Sequence, residues 1–391
     1  MKPSEKQLVI GRRNALKMMG LGSAGMLAAG FSDINAMEAA AELKPKGKPL
    51  LTSGNSSVAL TSGTDRKHMI SEVIKPFDKE IRSGLKGKQL VIKVNMVVTD
   101  TPLCAPHVDA LDALLAYLKP IYKGQIIIGE SSSTFDSAPG FKTYGYADLA
   151  SKYNVKFVDL NGTAGTPAYV LDRNLHMDKI QLIDTLVNPD NYVISLSRLK
   201  THNTVIMTGG VKNMAMGAPL MHTVSGSNRP VSYKRNMHSG GPRWLHYNIF
   251  AVYPQVRADF TIIDGIEGME GNGPISGTPV DHRIALAGQD AVAIDSLCCK
   301  MMDISLDDVG YLTYLDAAGY GNIDYNKIDI IGSTKPEDHI IKYELASNAA
   351  YQLEWKDPFA IPGQGGQGGQ GGQRPPQQPQ PGQKPAQPQP R

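Results

Sequence analysis

Tyr192-Val193-Ile194-Ser195-Leu196 runs on to Leu199-Lys200-Thr201-His202 and, seven residues later, to Gly209-Gly210-Val211-Lys212-Asn213-Met214. The first five residues read as a buried strand, because they are apolar and β-branched without the strict alternation of a half-solvated strand. Similar runs recur at Gln89–Val97, Gln125–Gly129, Val155–Leu160, Phe260–Asp264, Arg283–Ala287 and Lys327–Ile331. Helical patterns at Pro106–Leu118, Tyr146–Tyr153, Asp290–Met302 and Asp308–Ala318 separate them. Strands and helices interleaved in this way predict an α/β fold, with mainly parallel sheets flanked by helices in one large or two closely joined domains. In such folds chemistry gathers at the carboxyl ends of the strands. The glycine-punctuated loop after Leu196, with His202 and Lys212 ten residues apart, is therefore the expected site.

The two ends of the 391-residue chain read differently from its middle. Arg12-Arg13-Asn14-Ala15-Leu16-Lys17, the apolar stretch Met18–Phe31 and Ala39-Ala40-Ala41 have the layout of a twin-arginine signal over residues 1–41. That layout predicts export through the twin-arginine machinery to the periplasm or cell surface. The apolar stretch falls short of the roughly 20 residues needed to cross a bilayer, so no stable membrane span is expected. Residues 363–391 repeat Gly-Gly-Gln and then alternate Pro with Gln, which predicts a disordered tail. Residues 42–362 remain as the α/β region. The formal charge of +3 belongs to the ends: the leader carries +2 and the tail +3, leaving −2 between them. No basic stripe suggests nucleic acid. Three cysteines, Cys104, Cys298 and Cys299, form no CxxC pair, so neither an iron–sulfur cluster nor a disulfide framework is expected.

Several constellations bear on chemistry. His107, after Thr99-Asp100-Thr101-Pro102, should sit at a helix amino terminus, where the partial positive charge favours neutral imidazole. A solvent-exposed first-turn residue is the plainer alternative, and Lys93 and Asn95 on the preceding strand read as edge polars. Gly129-Glu130-Ser131-Ser132-Ser133 could hold an anion, or simply cap a helix. Gly209 and Gly210 let backbone approach a bound group, with Lys212 as clamp or covalent attachment point; a surface turn is the alternative. Asp264–Pro274 reads as a flexible acidic loop, in which Asp264 and Glu267, with His202, make a candidate metal set. Asp290 reads as a helix N-cap, with Asp295 one turn on. His222, His238, His246 and His282 lack zinc-protease spacing, and His222–Tyr247 has no clear periodicity.

From about Lys88 to Gly321 the chain resembles the family catalogued as domain of unknown function 362. The resemblance rests on Lys93–Met96, Pro106-His107, Gly129-Glu130-Ser131, Leu199–His202, Gly209–Met214, Asp264–Pro274 and Asp290–Asp295. Some relatives carry a ferredoxin-like segment whose cysteines this chain lacks. Thr201, His202, Gly209, Gly210, Lys212 and Gly217 are also similar in spacing to a motif of nickel-pincer lactate racemases. That resemblance implies a metal or organometallic cofactor held covalently by Lys212, with Thr201, Gly209, Gly210 and Asn213 around it. It also implies His202 and His107 as acid/base residues. The arginine of the racemases' first motif is missing, and Val205-Ile206-Met207-Thr208 replaces their Ala-Gly-aromatic-Ser segment. The reading is an exported enzyme acting on a small anionic molecule, isomerase- or racemase-like, with His202 as proton acceptor, His107 as donor and Lys212 as anchor. A non-catalytic extracytoplasmic protein that captures a metal or ligand is the alternative.

Overall fold

The structure, a computed structural model, describes residues 54–223 and 230–357. The expected leader and tail, and part of the His222–Tyr247 stretch, lie outside the described residues. In chain order the strands are β1 (Ser56–Ser62), β2 (Gln89–Val94), β3 (Ile126–Glu130), β4 (Val155–Asp159), β5 (Gly165–Leu171), β6 (Met177–Ile183), β7 (Asn191–His202), β8 (Ile206–Thr208), β9 (Met221–Thr223), β10 (Pro230–Ser232), β11 (Phe260–Asn272), β12 (Ser276–Gly288) and β13 (Ile328–Ile331). Nine of them form one sheet in the order β13-β1-β12-β11-β7-β2-β3-β4, with β8 on β7; β5-β6 and β9-β10 are separate ribbons. Pairing is parallel from β11 through β7, β2 and β3 to β4, and antiparallel where β12 meets β1 and β11.

Strand β7 is buried along its whole length and runs six residues past Leu196, so Leu199–His202 is strand rather than loop. Its two late cations tolerate burial because each has a partner. Arg198 Nε donates to the Ala105 carbonyl at 2.5 Å, and Lys200 Nζ to the Cys104 carbonyl at 2.7 Å.

Alternation along the strands sends side chains to two cores. Leu90, Ile92, Ile194, Leu196 and Ile262 face one side, where helices α1 (Arg66–Ile74) and α2 (Val108–Leu118) pack. Val91, Val193, Leu199, Ile263 and Leu286 face the other. That side carries α3 (Gly210–Gly217), α4 (Tyr233–Met237), α5 (Pro242–Val256), α6 (Ala291–Met301) and α7 (Gly310–Ala318). Helix α2 starts where His107 Nδ1 accepts the Asp109 amide, and it buries Leu111, Leu114, Leu115 and Leu118. Helix α6 starts at Asp290, whose Oδ1 accepts the amides of Val292 and Ala293 at 2.9 and 3.1 Å.

Two sequence expectations need correction. Asp264–Pro274 is not a flexible loop: as far as Asn272 it is the second half of β11, paired with β12 out to Asn272↔Ser276. Its glycines serve packing, since a Cβ at Gly268 would stand 2.2 Å from Tyr343 Oη. The described part of His222–Tyr247 is also largely regular, containing β10, α4 and the start of α5.

The chain runs outward from β2 to β3 and β4, then returns to β7 on the other side of β2. Such a reversal opens a crevice at the carboxyl ends of the strands.

Candidate functional site

Lys93 stands in the apolar run Leu90–Val94 of β2, which makes it a buried cation needing partners. Its Nζ donates to Glu130 Oε1 on β3 at 2.6 Å, to Asn213 Oδ1 on α3 at 3.1 Å and to the Val94 carbonyl at 2.8 Å. Lys93 and Glu130 have side chains only 1% and 3% exposed. Glu130 also accepts the amides of Met96 and Ser131. Burial lowers the Lys93 pKa and the Glu130 charge opposes that shift. The pair joins two strands and a helix at one point.

Helix α3 is fixed at its amino end by Asp295 of α6, whose carboxylate accepts the Gly210 and Val211 amides at 2.7 and 3.0 Å. Two donors from a helix start and the positive end of its dipole favour an anion there. Burial works the other way, pushing the Asp295 carboxyl up to about 7 against the two amides.

Lys212 is the third residue of α3 and is 7% exposed. Among the described residues its ammonium has no hydrogen-bond or ion-pair partner. Burial foremost, then the charges of Lys200 and Lys234, pull its pKa down to about 7. Lys212 lines a cavity of about 290 Å³ with Lys93, Glu130, Asn213, His202, Lys234 and His238. Lys234, on α4, donates to Ser131 Oγ and to the Met216 carbonyl, both at 2.9 Å. Its pKa too is drawn down to about 7, by burial and against Glu130. Three lysines thus face one carboxylate, and that carboxylate is committed to Lys93. The cavity wall also holds Asn95 Oδ1 and Thr208 Oγ1, buried polar atoms without a partner among the described residues.

The two imidazoles have opposite polarity. His202 closes β7, and its Nδ1 accepts the Thr204 amide at 3.0 Å. Burial, then the neighbouring Lys212, holds its pKa well below 6.5, so the ring is neutral with its proton on Nε2. His238 sits exposed at the rim, with Nδ1 2.8 Å from the Lys234 carbonyl. A carbonyl only accepts, so Nδ1 carries the proton and Nε2 is an acceptor without a partner among the described residues. Backbone contacts assign one ring as donor and the other as acceptor.

The family described as Domain of unknown function (DUF362) matches residues 90–300, more than half of the chain and every residue of the cavity wall. The chain belongs to the DUF362 family. It is also similar to the Thylakoid-associated protein sll1697 of Synechocystis sp., at 26% identity over 226 residues. That match covers 56% of this chain and 64% of the relative, so the chain spans just under two thirds of the relative's length. A crystal structure of a Thermotoga maritima protein aligns over 66% of this chain and 59% of its own, at 10% identity and a TM-score of 0.35. A likeness that slight carries no argument.

Within this DUF362 chain the cavity wall brings together His202, Lys212, Asn213 and Gly217 with Glu130, Ser131 and Ser133 of the stretch that sequence offered as a possible anion holder. Asn213 is occupied as a brace, its Nδ2 donating to Ser195 Oγ at 2.9 Å while its Oδ1 holds Lys93. The other residues lie elsewhere. His107 caps α2 on the opposite face of the sheet, and its backbone amide donates to Asp264 Oδ2 at 2.9 Å. Asp264 also takes Arg66 Nε at 3.1 Å, and Glu267 pairs with Arg198 at 3.0 Å. Parity decides this: Thr261 and Ile263 point toward α3, so Asp264 points away. Gly209 and Gly210 admit protein rather than a bound group. A Cβ on Gly209 would stand 2.2 Å from Asp295 Oδ1, and one on Gly210 2.4 Å from Thr261 Cγ2. Thr201 Oγ1 donates to the Gly271 carbonyl at 2.9 Å, tying β7 to β11.

The metal set His202, Asp264 and Glu267 is therefore split across the sheet. Among the described residues no three His, Cys, Asp or Glu side chains are grouped to hold an ion. The cavity offers amines and amides, a donor set that suits an anion better than a cation. No described helix is long and apolar enough to cross a membrane. Sequence reading missed the Lys93–Glu130 pair, Lys234 and His238. A charged residue inside each of two adjacent apolar strands was the available signal for the pair; Lys234 and His238 had none.

Proposed function

We propose that the cavity binds a small anionic molecule and acts on it by proton transfer, as an isomerase-like enzyme. The observation that carries this reading is the Lys212 ammonium, buried on a cavity wall without a counter-charge among the described residues. A lone buried cation costs stability, and an anion entering the cavity would supply what the protein lacks. At about 290 Å³ the space is at the small end of ligand pockets, so a small carboxylate or phosphate fits and a nucleotide does not.

Lys212 and Lys234 hold the anionic group, with Lys93 kept in place by Glu130. His238 Nε2 is the proton acceptor. His202 Nε2–H, on a ring too weakly basic to protonate, donates a hydrogen bond to charge that develops on the substrate. These roles revise the sequence expectation: His202 donates rather than accepts, and His238 takes the place assigned to His107. The twin-arginine layout of residues 1–41 supports export to the periplasm or cell surface as part of the same proposal.

The test is calorimetry with oxalate, phosphate and a panel of small carboxylates, followed by NMR of hydrogen exchange into those carboxylates in D2O. Binding that is lost in Lys212→Met, with exchange lost in His238→Gln, is the expected result. Binding without exchange turns the reading into that of a non-catalytic capture protein. An anion bound equally by wild type and Lys212→Met refutes the site.

A further inference from the structure

The three cavity lysines are not equivalent. Lys93 gives its protons to Glu130, Asn213 and Val94, and Lys234 gives its own to Ser131 and Met216. Lys212 alone of the three has its nitrogen unengaged among the described residues. We propose that Lys212 Nζ is a nucleophile that condenses with the carbonyl carbon of a small 2-oxo carboxylate, whose carboxylate Lys234 holds. This inference rests on the anion-site reading above and adds a covalent step to it.

An amine attacks only through its lone pair, so it must be neutral, and desolvation beside other cations is what makes a lysine so. Lys212 meets both conditions: it is buried in the cavity wall, under the charges of Lys200 and Lys234, and no carboxylate among the described residues pairs with it. About half of it is free amine near neutral pH. The charges around it are Lys200, Lys234 and the Lys93–Glu130 pair, with His202 neutral.

The chemistry balances within the site. The Nζ lone pair forms a bond to the carbonyl carbon, and the carbonyl π electrons move to oxygen. That oxygen takes a proton which nitrogen gives up, passed through His238 Nε2, while His202 Nε2–H stabilises the alkoxide by a hydrogen bond. The carbinolamine then expels its oxygen as water, carrying both protons of the original amine and leaving a C=N bond. No oxidant or reductant takes part. The imine withdraws electrons from the adjacent carbon, which makes a proton there easier for His238 to remove.

The experiment incubates the full-length chain with pyruvate and sodium borohydride, which reduces an imine to a stable secondary amine. Intact mass and peptide mapping then locate the product, and oxalate binding is followed in parallel by thermal shift. The expected result is one reduced pyruvate per chain on the peptide containing Lys212, exceeding any other lysine by roughly tenfold. Excess oxalate should block it, and Lys212→Arg should lose it. Because Lys212→Arg can fail to fold, the wild-type peptide map is decisive by itself. Label spread evenly over surface lysines, or no label while oxalate still binds, overturns the covalent step and leaves the anion site standing. Neither label nor oxalate binding overturns both.

Discussion

Replacing Lys212 by methionine should make the protein more stable while removing its ligand binding. The side chain is 7% exposed and its pKa stands at about 7 against 10.5 for an ordinary lysine. Each unit of that depression is about 1.4 kcal/mol, so at pH 7 the folded protein bears a cost of about 4 kcal/mol. The folded state binds fewer protons than the unfolded one between about pH 7 and 10.5. The cost is therefore full below pH 7 and fades as pH rises, to about 2 kcal/mol at pH 9. Methionine is similar in length and carries no charge, so Lys212→Met removes the cost. The figure is a ceiling, because Lys200 and Lys234 regain part of their charge when Lys212 is gone. Calorimetric melting should show a midpoint higher by roughly 5–10 °C at pH 7, with the gap narrowing toward pH 9. A variant that melts below wild type, or a gap that ignores pH, refutes the claim of an uncompensated buried cation. A lysine that a folded protein would be more stable without is the signature of a residue kept for function.

Lys93→Met leaves Glu130 buried without its counter-charge and should cost about 3–5 kcal/mol in urea unfolding, with Lys93→Met/Glu130→Gln recovering much of it. If the single and double variants unfold alike, the pair is not what holds β2 to β3. Gly217→Ala puts a methyl 2.4 Å from Lys93 Cε and 2.7 Å from its Nζ. It should weaken oxalate binding by roughly tenfold or more, and calorimetry returning the wild-type Kd contradicts this. Lys212 and Lys234 both sit at about 7, so anion binding should take up protons above that pH. Affinity should then fall by up to about tenfold per pH unit for each lysine, and a pH-independent Kd rules this out. Asp295→Ala strips the acceptor from the Gly210 and Val211 amides and should cost about 1–2 kcal/mol, read as a shift in the urea midpoint without a change in slope.

Parts of the site were legible because they depend on short range. His202 and Lys212 are ten residues apart, joined by a hairpin and a glycine pair, with His202 closing the strand and Lys212 on the helix after it. Sequence also indicated the role of Asp290, since an N-cap acts on its own next turn. Parity hid Asp264, because a side chain one position along a strand belongs to the other face of the sheet, and His107 went with α2, which packs on that other face. The glycines of Gly209-Gly210 signalled close approach correctly but not what approaches, which is a carboxylate 85 residues further on. Lys234 and His238 come from a stretch with no periodicity and reach the cavity only because α4 packs beside β3's exit.

The order of apolar and β-branched runs determined by itself that this chain builds a largely parallel sheet with helices on both faces, since burying those runs leaves few other arrangements. The carboxyl ends of its strands were marked for the same reason. Which lysine gained a carboxylate and which was left bare, and which histidine nitrogen kept its proton, were decided only in three dimensions. The lysine contacts join segments 37 to 120 residues apart; the histidine protons are set by neighbours two and four residues away, and it is the burial of both kinds of group in the folded chain that shifts their pKa values.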